Sequence, residues 1–258
     1  MQNNEIATKI PVFCYHRVIS DWHKIRYALG WTRFISVGYF DKQMKYIAEN
    51  GYRTISCDEI YDWYKGNLEL PKKTVMLTFD DAFYEVYYKA LPILKKYDLK
   101  ATIFTVGKNI KPTTSPELPN LSKHFIGQDV MDEIAETYPN VEFQGHTYGL
   151  HRKYDEVHLA KTKSLEDIKK DYKKMDKMGF TYSAHPYGYF NEKMAEAIRE
   201  SNVKMAFAYD FPAYATKEDD IYNISRIKIS GNILMKNFIR YLEQDEIDKL
   251  WYEPPIHL

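Results

Sequence analysis

Short apolar runs alternate with segments of helical periodicity along this chain, and that alternation restricts the fold more than any other feature. The runs are 10–15, 53–56, 74–79, 101–106, 141–144, 182–185 and 205–209. The periodic segments between or after them are 39–49, 85–97, 128–137, 164–177, 192–201 and 235–243. In the first, Phe40, Met44, Ile47 and Ala48 share a face; in the second, Val86, Ala90, Ile93 and Leu94 do. Ser164 followed three residues later by Asp167 resembles a capping box with Asp in the Glu position, and Gly179 marks a helix stop. Lys169, Lys170, Lys173 and Lys174 beside Asp171 and Asp176 read as a solvated helix face of mixed charge. Roughly seven strand–helix units imply a parallel α/β architecture, either a barrel or a doubly wound sheet. No linker divides the 258 residues, so 1–258 is read as one domain.

Composition narrows the partners. The chain carries 36 Lys+Arg and 36 Asp+Glu, so no basic excess exists to meet nucleic acid or an anionic membrane. No apolar run approaches the length of a membrane span. The opening residues lack a basic stretch followed by a long apolar one. The expectation is therefore a cytoplasmic protein, with an extracellular or cell-surface one as the alternative if a leader was trimmed. Cys14 and Cys57 sit in apolar, strand-like contexts and read as buried thiols. The 23 Tyr suit a tyrosine-rich core, or a surface for ligands with alternating polar and apolar faces.

In parallel α/β folds, catalytic groups come from the C-terminal ends of strands. Run 74–79 ends at Asp80 and Asp81, run 141–144 at "GHTYGLH" with His146 and His151, and run 10–15 at His16. One Asp would serve to cap the next helix; two adjacent ones ask for a second role. His146 and His151 would stand about 140° apart on a helix, and Gly145 and Gly149 argue for a loop instead. Such a loop can converge two imidazoles on one point. Adding a carboxylate gives a facial set that leaves positions open for water and substrate. Two unrelated surface histidines are the alternative. The irregular stretch 107–125, rich in Pro, Thr and Ser, follows a strand and would shape a substrate site.

"TFDDA" (78–82), "HTYGLH" (146–151) and "HPYGYFN" (185–191) resemble the motifs of the NodB-homology polysaccharide deacetylases, carbohydrate esterase family four. The resemblance spans roughly residues 10 to 230, and "FCYHRV" is most similar to the circularly permuted branch that deacetylates poly-N-acetylglucosamine. It implies a distorted (β/α) barrel and metal-dependent hydrolysis of N-acetyl groups from amino sugars of a glycan. It further implies Asp80 as general base, and Asp81, His146 and His151 as ligands of a divalent metal, most often zinc. His16 would be the general acid, and the Tyr187 backbone N–H part of an oxyanion hole.

The chain departs from the family pattern at two places. Ala82 stands where the motif has Gly, and Ser183-Ala184-His185 lacks the Arg that usually pairs with the base. Arg226 could substitute for that cation, or serve only a strand edge. His185 reads as structural, and His257 as a weaker candidate acid than His16. A non-catalytic carbohydrate-binding protein on the same fold is the alternative function. A metal-free glycoside hydrolase using acids such as Asp80 and Asp210 would leave the His pair idle. His23, His124 and His158 have no partner motif.

Overall fold

A computed structural model describes residues 5–21, 34–114, 124–209, 213–231 and 233–243. His23, Asp210, His257 and the middle of the 107–125 stretch lie outside those residues.

Seven strands form one parallel sheet: β1 (Val12–Tyr15), β2 (Thr74–Asp80), β3 (Ala101–Thr105), β4 (Val141–Gly145), β5 (Tyr182–Ala184), β6 (Met205–Phe207) and β7 (Ile227–Lys228). Their order in the sheet is β6-β5-β4-β3-β2-β1-β7. A doubly wound sheet reverses its strand order partway across. Here the order runs unbroken and the last strand lies beside the first. Ile224, just before β7, also makes a parallel bridge to Phe207 in β6, and the Ala208 N–H donates to its carbonyl at 2.8 Å. Residues 224–228 thus touch both ends of the sheet and draw it into a distorted barrel.

Side chains alternate across each strand. In β2, Val75, Leu77 and Phe79 face outward and join the layer packed with Phe40, Met44 and Ile47 of α1 (Val37–Glu49). Met76 faces inward with Val12, Phe104, Tyr182, Met205 and Phe207. Continuing the same alternation upward, Thr78 and Asp80 fall inside as well. The barrel interior is therefore apolar at its base and polar at its mouth, and period two alone delivers Asp80 to the mouth.

Several boundaries differ from expectation for identifiable reasons. Pro11 lacks an N–H and splits the first run: Lys9–Ile10 pairs antiparallel with Ala215–Thr216, whereas β1 enters the barrel. The 53–56 run pairs with β2 only at Arg53 and Thr54. Cys57 is not in a strand; it opens helix α2 (Cys57–Lys65), which Ser56 and Glu59 start with a reciprocal capping box and Gly66 ends at φ 79. Both cysteines are buried and unbridged. The 85–97 segment begins as a π-helical turn, Val86–Ala90, before α3 (Leu91–Lys96). Helices α4 (Gln128–Thr137), α5 (Leu165–Asp176), α6 (Glu192–Arg199) and α7 (Met235–Glu243) match their periodic segments closely. Among the described residues, no helix is long and apolar enough to cross a membrane.

Candidate active site

The two adjacent acids part company because the strand ends between them. Asp80 is the last residue of β2, whereas Asp81 has φ 74 and Ala82 φ 51. Left-handed backbone is costly for residues with a Cβ and is found where surroundings enforce it. In an extended strand Asp81 would point away from the barrel. The turn brings its carboxylate back over the mouth, with Asp81 Oδ1 lying 3.6 Å from His151 Nε2 and 3.9 Å from His146 Nε2.

The His loop is held from several sides. His146 is buried, and its Nδ1 lies 2.8 Å from the Ala184 carbonyl of β5. A carbonyl only accepts, so Nδ1 carries the proton and Nε2 presents a lone pair toward the acids. The rings of His146 and His151 are 4.4 Å apart. One ligand atom each from Asp81, His146 and His151 all lie within 4.8 Å of one another. Nearest separations of 3.6 and 3.9 Å approach the ~3.3 Å edge of a tetrahedral shell with bonds of about 2.0–2.1 Å. The donor set and its spacing fit a divalent cation.

Asp80 Oδ2 also lies 3.9 Å from His146 Nε2, but its hydrogen bonds go to a different partner. Arg226 grips it with both nitrogens, Nη1–Oδ1 at 2.8 Å and Nη2–Oδ2 at 2.9 Å, and also donates to Thr78 Oγ1 and the Ala208 carbonyl. Burial raises the Asp80 pKa, but the Arg226 charge, His146, the Arg226 hydrogen bonds and His16 outweigh it and hold the carboxyl well below the usual range. Burial would lower the Arg226 pKa, and Asp80 more than reverses it. The Cys14 thiol, raised by burial, stays protonated and donates to Asp80 Oδ2 at 3.4 Å.

All seven sequence candidates come to this mouth. His16, just past β1, is 8% exposed, close enough to act on the Asp80 charge, with its ring 5.4 Å from Tyr209. Tyr187 has φ 55 within the turn Pro186–Gly188, and its ring stacks on His151 at 4.2 Å. Arg226 is not a strand-edge residue; it is 1% exposed inside the barrel. His185 is structural, as expected: Nε2 meets the Tyr222 carbonyl at 2.6 Å, and burial lowers its pKa to about 4. Three residues escaped sequence reasoning. Cys14 read only as a buried thiol, though strand alternation already sets it on the face opposite Phe13 and Tyr15. His158 stacks on the other face of Tyr187 at 4.6 Å, and no motif marks it. Asp171, read as part of a solvated face, is buried, and its carboxylate takes the Tyr148 and Gly149 N–H groups. Its signal was its place in the stripe of Ile168, Tyr172 and Met175.

Residues 67–206, which span both acids, the His loop and the 185–188 turn, match the family model described as polysaccharide deacetylase. The chain belongs to the polysaccharide deacetylase family. Among relatives, it is 27% identical over 245 residues to YxkH of Bacillus subtilis (strain 168), covering 93% of this chain and 78% of that protein. It is 29% identical over 229 residues to the poly-beta-1,6-N-acetyl-D-glucosamine N-deacetylase of Staphylococcus aureus (strain COL), covering 82% and 74%. Among solved structures, the Streptococcus pyogenes deacetylase PplD, determined in complex with acetate, superposes with a TM-score of 0.75 at 24% identity over 92% of this chain and 99% of that one. IcaB from Ammonifex degensii superposes at 0.70 with 20% identity, over 92% and 97%. These likenesses carry the barrel architecture of the polysaccharide deacetylases over nearly the whole chain.

Proposed function

We propose that this polysaccharide deacetylase hydrolyses N-acetyl groups from N-acetylglucosamine-type residues of a glycan in a metal-dependent reaction. The observation that carries the reading is the separation of the two acids: Asp81 turned onto the His pair, Asp80 gripped by Arg226. Asp81, His146 and His151 would hold the cation, and two imidazoles with one carboxylate suit zinc. A divalent cation bound there supplies the Lewis acidity that brings a water's pKa toward neutrality and polarises an acetamide carbonyl.

The chain's own residues do the rest. Arg226 keeps Asp80 ionised and fixed in direction, so it can accept a proton from the attacking water. His16, on the neighbouring strand end, donates a proton to the departing amine nitrogen. The backbone N–H of Tyr187, in a left-handed turn beside His151, would serve the oxyanion. The poly-N-acetylglucosamine relatives support a β-linked N-acetylglucosamine polymer as the substrate class.

The test is acetate release from N-acetylglucosamine oligomers by protein reloaded with zinc or cobalt, with and without chelator. Chelator-sensitive acetate is expected. Acetate that resists the chelator overturns the metal role. Bound metal without acetate overturns catalysis on these oligomers and favours the carbohydrate-binding alternative. Asp80→Asn should keep its metal content and lose turnover by about 10²–10⁴-fold; loss of metal instead would exchange the roles of the two acids. His16→Ala should slow turnover with metal content intact.

A further inference from the structure

Between His146 and His151 the chain makes a turn that its own residues do not favour. Thr147 is β-branched yet has φ 61, and its Oγ1 is buried with no hydrogen-bond partner. Such a conformation costs of order 1–3 kcal/mol and persists only where the surroundings enforce it. On one side the enforcement comes from the end of β3: His146 N–H donates to Thr105, and the Gly107 and Lys108 N–H groups donate to the Thr147 and Tyr148 carbonyls. These bonds use His146's donor and the loop's acceptors, and leave the Tyr148 and Gly149 donors to be met from elsewhere. The Asp171 carboxylate of α5 meets both, Oδ1 to Tyr148 N at 2.7 Å and Oδ2 to Gly149 N at 2.8 Å.

We propose that Asp171 is a positioning residue for the metal site, clamping the loop so that His151 returns to face His146 and Asp81. Resting on the metal reading above, the role is one that neither the family match nor the relatives assign. Three features favour a clamp over a generic helix contact. The two oxygens take successive donors, which fixes the loop's orientation as well as its distance, and charge-assisted bonds of this kind are stronger than neutral ones. Asp171 occupies a position in the buried stripe of α5 where an apolar residue would pack at no desolvation cost. Burial pushes its carboxyl up to about 6 even against those two donors and Lys174, so the acid is kept there at some expense. Lys174 also lies 4.7 Å over the Tyr148 ring, a second hold from the same helix on the same turn. Residues that orient metal ligands typically change metal affinity by 10–100-fold when replaced.

The experiment compares wild type, Asp171→Asn and Asp167→Asn. Asparagine has nearly the same shape but only one acceptor oxygen, so one loop N–H is left facing an amide NH₂. Asp167→Asn removes the same charge from the exposed face of the same helix. Two measurements give three quantities: cobalt titration gives the dissociation constant and the visible spectrum, and hydrogen exchange without metal gives the rates at the Tyr148 and Gly149 amides. Asp171→Asn should weaken cobalt about 10–100-fold, alter the spectrum and speed exchange at both amides by tenfold or more; Asp167→Asn should leave all three unchanged. Asp171→Glu, which keeps both acceptors on a longer stem, should recover part of each. Asp171→Asn within twofold of wild type in both readouts overturns the proposal. A wild type that binds no cobalt overturns the metal reading itself, and the exchange rates still decide whether Asp171 clamps the loop.

Discussion

The two ends of the barrel are built from the same strands and handle charge in opposite ways. At the base, Glu59 takes Arg53 at 2.6 Å and Lys100 at 2.8 Å, whose side chains are 46% and 39% exposed, while Glu142 accepts from the Cys57 N–H and the Thr102 hydroxyl. At the mouth, Asp80 and Arg226 pair with 3% and 0% side-chain exposure. Four of the seven left-handed non-glycine residues among those described, Asp81, Ala82, Thr147 and Tyr187, are also at the mouth. The base is an ordinary protein surface. The mouth concentrates buried charge and backbone strain where the interior changes from Met76 through Thr78 to Asp80. The buried ion pair and the larger share of the left-handed backbone therefore lie together at the mouth.

The largest expected effect comes from breaking the mouth's ion pair. Arg226→Met strands a buried carboxylate and should cost about 3–5 kcal/mol in denaturant unfolding. Adding Asp80→Asn should recover part of that loss, because the stranded charge goes. A cost under about 1 kcal/mol would place the Arg226 pair with those at the base.

The corresponding change at the base is smaller. Glu59→Gln should cost no more than about 1 kcal/mol at pH 7. Burial raises the Glu59 pKa, but Lys100, the Ser56 N–H and Arg53 overcome it and bring the carboxyl down to about 2. A lowered acid stabilises the fold above its ordinary pKa near 4.5 and loses that contribution as pH falls toward 2. The gap between wild type and Glu59→Gln should accordingly close across that window in pH-dependent unfolding.

The smallest effect belongs to Ala82, where the motif has glycine. Glycine would relieve about 1–2 kcal/mol of left-handed strain. It would also give back about 0.4–1 kcal/mol in chain entropy and about 0.8 kcal/mol for a buried methyl. These nearly cancel, so Ala82→Gly should move stability by less than about 0.5 kcal/mol and leave turnover within about twofold. A larger gain would mean that the strain at Ala82 is not matched by its packing.

Much of this is legible in the sequence. Strand ends located Asp80, Asp81, His16 and the His pair, because period two and apolar runs report which residues share a face and where a strand stops. What lies across from a face is set by the closure of the barrel, and periodicity does not carry that. Hence β7, only two residues long within "ISRIKI", went unread as a strand, and Arg226 could be an edge residue as easily as the partner of Asp80. Hence too Asp171 took its character from the lysines beside it in sequence, when the His loop opposite decided it. Helix α2 is hard to read from sequence because it has only nine residues, three of them aromatic, although Ser56 and Glu59 mark its start.

The segment 224–228 both joins the edges of the sheet and carries the arginine that holds Asp80. During synthesis Asp80, Asp81, His146, His151 and His16 are all made before that segment. Until it follows, the sheet has two open edges and Asp80 has no counterion. Joining the two edges and neutralising the buried Asp80 charge are thus one event: the carboxylate gains its guanidinium partner only as residues 224–228 dock between β1 and β6.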